Sequence, residues 1–106
     1  MTGTFRTRVT LAMVVMMASA VGFAQSSGES VYKASCASCH GANGTPSAGM
    51  AKMLNVKPVS DPDIQKLTPE QMFTSVKEGK NKMKPFKDKL TDAQIKDSVT
   101  YYRSLK

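Results

Sequence analysis

Cys36-Ala37-Ser38-Cys39-His40 constrains this chain more than any other stretch. On a helix, residues three and four apart share a face, so both thiols and the imidazole can converge on one side. Few chemistries use that set. A closed zinc site needs four ligands, and the chain's two cysteines and one histidine supply three. A thioredoxin-like dithiol belongs to a βαβ pattern, and no segment here shows strand alternation. C-x-x-C-H is instead the signature of covalent haem attachment, each thiol adding to a vinyl group while His40 binds the iron from below.

The N-terminus suits that chemistry. Arg6 and Arg8 precede an apolar run, Val9–Ala18, and Ser19–Ala24 is rich in small residues. This is the layout of a secretory signal peptide, with cleavage expected after Ala24 and Ala20 as the next candidate. An uncleaved membrane tether is the alternative, but Val9–Ala24 falls short of the roughly 20 apolar residues a span needs. Arg6 and Arg8 are not adjacent, so a twin-arginine route is not indicated. Residues 1–24 are thus expected to be the signal peptide and 25–106 a single domain, exported to the periplasm. Haem is attached to such apoproteins outside the cytoplasm.

Removing 24 of the 106 residues leaves 82. At that size an apolar core alone gives marginal stability, and a covalently held porphyrin would supply more. Removing Arg6 and Arg8 from the 15 basic residues leaves 13 against 8 acidic ones. A positive surface favours encounters with acidic partners. It does not point to nucleic acid in an exported chain with no binding motif of that kind.

Helical signals dominate the remainder, and the fold class is all-α. Glu29 to about Ala37 reads as a first helix leading into the haem motif. Gly41, Asn43, Gly44, Pro46 and Gly49 mark an irregular loop. Ala48–Leu54 reads as a short helical piece, Val56–Ser60 as extended, and Asp61-Pro62 as the start of another turn. Thr68, Pro69 and Gln71 form a capping box with proline at the first helical position, and Gly79 fits the far end. After a lysine-rich loop, Lys80–Lys89, Thr91 and Gln94 cap a last helix. There Ile95, Val99, Tyr102 and Leu105 recur at helical spacing.

His40 is the only histidine, so a second axial ligand must come from another residue type. Four of the eight methionines lie outside the signal peptide: Met50, Met53, Met72 and Met83. Met72 falls on the inner face of a helix, and Met50 and Met53 on a small apolar piece close behind His40 that would cover the haem edge; all three read as packing residues. Met83 lies in a polar loop between Lys82 and Lys84, where an apolar side chain has little local reason to be. A loop methionine across the haem would close a six-coordinate iron and raise its potential.

Residues Gly28–His40, Gly79–Phe86, and Leu90–Ile95 with Val99–Arg103 resemble, in turn, the first helix and haem site, the axial-methionine loop and the closing helix of small bacterial monohaem cytochromes c of the His/Met-ligated class. The resemblance covers essentially all of 25–106, although Lys84 intervenes between Met83 and Pro85, unlike the commonest methionine loop. It implies three main helices plus short helical turns around one haem c, bound through Cys36 and Cys39 with His40 and Met83 as iron ligands. It implies that the first and last helices cross closely, with Tyr32 packed against the closing helix and Tyr101 as its partner. A loop-proline carbonyl, expected at Pro46, would orient His40.

The function so implied is a monomeric periplasmic electron carrier in a respiratory chain, and not an enzyme, with redox proteins or membrane-bound redox complexes as partners. Lys77, Lys80, Lys82, Lys84, Lys87 and Lys89 surround the methionine loop, as a solvated face or as a docking ring for acidic surfaces. Two other classes stay open at this point: a haem subunit of a larger oxidoreductase, and a ligand-binding haem protein with an open iron site.

Overall fold

The computed structural model describes residues 20–106, with side chains from Ser27 onward. The basic and apolar stretch Arg6–Ala18, on which the signal-peptide expectation rests, lies outside the described residues. The regular structure of the described residues is helical: α1 (Ala20–Ser35), α2 (Ala37–His40), α3 (Ala48–Leu54), α4 (Pro62–Gln65), α5 (Pro69–Glu78) and α6 (Asp92–Ser104). The one β-type feature among these residues is an isolated bridge between Lys80 and Met83. None of the described helices is long and apolar enough to cross a membrane.

Two differences from expectation concern the first helix. It already runs through Ala20–Gly28, ahead of the expected start at Glu29, because nothing from Ala20 to Ser27 stops a helix already formed, and extending one costs far less than nucleating it. Gly28 does not stop it either. A mid-helix glycine costs about 1 kcal/mol, and here it lets two backbones meet, since a Cβ at Gly28 would overlap the Asp97 carbonyl oxygen of α6. The helix also ends earlier than expected, at Ser35. Cys36 has φ −120° and ψ −36°, which breaks the helix within the motif and sets α2 off as one separate turn.

The other helix ends follow the sequence. Thr68 accepts from the Gln71 backbone N–H while Gln71 returns a bond to Thr68, and Thr91 and Gln94 repeat the arrangement. Each box satisfies two N-terminal N–H groups that the helix leaves unpaired. Gly79 ends α5 at φ +79°, where a Cβ would lie 2.9 Å from both the Met83 carbonyl oxygen and the Pro85 nitrogen.

Helix α6 organises the packing, lying against both α1 and α5. Between α5 and α6, Met72, Ile95 and Val99 are buried, with Ile64, Leu67, Phe73, Val76, Leu90 and Tyr102 packed around them. At the α1–α6 crossing Tyr32 is 1% exposed, its ring centroid 5.3 Å from that of Tyr101 and 5.9 Å from that of Tyr102. The Tyr32–Tyr101 contact is the one the resemblance implies. Arg103 donates to the Leu67 carbonyl at 2.7 Å, fixing the α4–α5 connection to the end of α6. Ser98, buried among these apolar groups, satisfies its hydroxyl on the Ile95 carbonyl at 2.8 Å.

Candidate haem site

The break at Cys36 shapes the motif. The Cys36 N–H still completes α1 by donating to the Tyr32 carbonyl at 2.8 Å. The Cys36 carbonyl then accepts from Cys39 at 3.2 Å and from His40 at 3.0 Å, so α2 is wound directly onto the broken end. Both thiols are free and half-buried. Burial, with a smaller effect from nearby Cys39, pushes the Cys36 thiol up to about 11, so at neutral pH it is a protonated thiol.

His40 is also half-buried, and burial pulls its imidazole below the usual range. It is therefore neutral at pH 7, the form a metal takes. Its Nδ1 is enclosed and has no hydrogen-bond partner. The expected bond from His40 to the Pro46 carbonyl is accordingly not formed. The Thr45–Pro46 backbone instead folds tightly over Gly41, where a Cβ would overlap the Thr45 carbonyl oxygen. The turn after His40 is held from the other side, where the buried Tyr32 hydroxyl donates to the Gly41 carbonyl at 2.6 Å.

Tyr102 supplies a contact that sequence reasoning missed. Its ring meets His40 edge-on at 5.6 Å, so the closing helix reaches the imidazole as well as Tyr32. Helical spacing put Tyr102 on a buried face, but did not show that this face extends to the motif.

Met83 is half-buried in a tight turn. Lys80 and Met83 exchange backbone bonds of 3.1 and 3.0 Å, and Asn81 takes the left-handed conformation at φ +55°. Beyond the turn, Phe86 donates to the Val76 carbonyl and Lys87 to the Lys77 carbonyl, pinning the descending strand of the loop to α5. The turn also reaches the segment behind His40, because Lys82 Nζ donates to the Met53 carbonyl of α3 at 2.9 Å. Met72 is buried as expected, Met50 is half-buried, and Met53 is 65% exposed.

The surrounding lysines are not uniform. Lys77 pairs with Asp92 at 3.2 Å and Lys87 with Glu78 at 3.7 Å. Lys89 lies over the Phe86 ring, and Lys82 is bonded to Met53. Among the described residues, Lys80 and Lys84 have no acidic side chain within ion-pair distance.

The donor set fits a covalently held haem. One half-buried thiol sits at a helix break and the other a turn further on, beside a neutral imidazole whose Nδ1 is unsatisfied, and no group of three or more acidic, cysteine or histidine side chains among the described residues could hold a bare metal ion.

Comparison with known proteins points to the same class of protein. Residues 23–101 match the model of the family described as cytochrome C oxidase, cbb3-type, subunit III. The chain belongs to this family of c-type cytochrome domains, which carry covalently bound haem c. It is also similar to a solved structure, the KustC0563 c-type cytochrome, with 32% identity over 74% of this chain and 96% of that one, at a TM-score of 0.68. No curated protein matches the chain.

Proposed function

We propose that this chain is an exported one-electron carrier holding a single haem through Cys36 and Cys39, with His40 and Met83 as the axial ligands. The observation that carries the reading is the neutral, half-buried His40, which follows two free thiols directly and is the only histidine in the chain. When bound, haem supplies a one-electron iron couple whose potential a thioether ligand raises.

The protein's own residues then have separable tasks. Tyr32 and Tyr102 fix the imidazole and the turn behind it, one through the Gly41 carbonyl and one by edge contact. The Lys80–Met83 turn, closed by two backbone bonds, presents the thioether on a short rigid segment. Filling both axial positions favours electron exchange over ligand binding. The expected removal of residues 1–24 would free the domain in the periplasm.

Met83→Ala tests the ligand set. Its reduced form should bind carbon monoxide within mixing time at neutral pH, whereas the native protein should resist. Equally fast binding by the native protein would mean that Met83 does not close the iron.

Lys80 and Lys84 offer uncommitted positive charge beside the methionine turn, which supports docking to an acidic redox partner. Electron exchange with such a partner should slow steeply as salt rises from low to physiological concentration. A rate indifferent to salt would remove the docking role. The family description as an oxidase subunit favours a second reading, a haem subunit held within a larger oxidoreductase. Copurification of a partner through a high-salt wash would select it.

A further inference from the structure

Helix α3 has no buried residue, and it contains Met53, the one large apolar side chain that is prominently exposed among the described residues. Its N-terminus is capped locally by Ser47, which accepts from the Met50 N–H. Its C-terminus leaves carbonyls without helical partners, as every helix end does, and Asn55 turns the chain away in the left-handed conformation. One of those carbonyls, that of Met53, receives the Lys82 ammonium from 29 residues further along the chain. Among the described residues this is the only hydrogen bond that joins α3 to the Met83 turn.

Lys82 sits at the tip of that turn. The bridge between Lys80 and Met83 fixes the base of the turn, and the bonds to Val76 and Lys77 fix its exit to α5. Nothing in those bonds ties the tip to the α3 side. A positive charge at a helix C-terminus is also favoured by the partial negative charge there. We propose that Lys82 is a positioning residue, a strap from the Met83 turn to the end of α3 that keeps the thioether in place and so limits access of other ligands to the iron. The inference rests on Met83 being the axial ligand.

The test uses the haem-loaded ferric protein and added imidazole, which displaces the thioether without any redox change. Lys82→Ala should bind imidazole about fivefold more tightly than the native protein, the equivalent of one charge-assisted surface hydrogen bond. Lys82→Arg, which keeps a cationic donor, should restore most of the difference. Lys52→Ala removes a charge from α3 without removing a hydrogen bond, and should match the native protein. Amide exchange at Lys80 and Met83, read independently of the haem, should quicken in Lys82→Ala alone.

If Lys82→Ala behaves like Lys52→Ala in both measurements, the strap is wrong while the Met83 assignment stands. If native protein takes up imidazole as readily as Met83→Ala, the ligand assignment fails, and the strap fails with it.

Discussion

Replacing both Cys36 and Cys39 by serine should give a protein whose haem is extracted by acidified organic solvent and whose helical circular dichroism is largely lost at room temperature. A serine hydroxyl cannot take the place of a thiol in a thioether link. The effect on folding follows from the size of the core. Only Tyr32, Val59, Met72, Ile95 and Val99 are buried apolar residues among those described. Five buried apolar side chains make a small core for a domain of this size, so an attached apolar group has a large share of the stability to supply. Either single replacement should leave one link and a haem that resists extraction. Haem that stays with the doubly substituted protein through extraction would show that other residues hold it.

Gly28→Ala should destabilise the protein by about 3 kcal/mol, the upper end of what overpacking costs. The added Cβ would overlap the Asp97 carbonyl oxygen and come within 2.9 Å of the Asp97 carbonyl carbon. Backbone of α6 cannot rotate aside as a side chain can, so α1 and α6 would have to separate. That would loosen Tyr32 from Tyr101 and Tyr102, and through Tyr102 would disturb His40. Gly49→Ala is the matched control. It lies within α3 with nothing inside 4 Å of its added Cβ. There alanine should stabilise by up to about 1 kcal/mol through helix propensity alone. Urea midpoints of the two variants should therefore move in opposite directions. A shift of the same sign and size in both would show that the α1–α6 approach is not what Gly28 provides.

Much of this architecture was legible in the sequence because it rests on local chemistry. Thr68 with Gln71 and Thr91 with Gln94 announce their helices through bonds spanning three residues. Gly79 announces a helix end through a conformation that favours glycine. Cys36, Cys39 and His40 stand out by spacing alone.

What escaped depends on contacts between distant segments. Gly28 falls just before the helix expected from Glu29, and only the Asp97 backbone beside it shows why a glycine stands there. Tyr102 reads as a core residue until its edge is found against His40. Pro46 was a reasonable orienting group, but the path of its loop over Gly41 decides where its carbonyl goes. The lysines read as a solvated face or as a docking ring, yet Asp92, Glu78 and the Met53 carbonyl engage three of them. Charge can be counted from sequence, and pairing cannot.

The central claim is that the chain closes its own haem iron with one imidazole and one thioether. The far-red absorption of the oxidised native protein at neutral pH tests it most directly. A weak band characteristic of thioether-ligated ferric haem, absent from Met83→Ala, is the predicted result. A native spectrum without that band, or a band that persists in Met83→Ala, would contradict it.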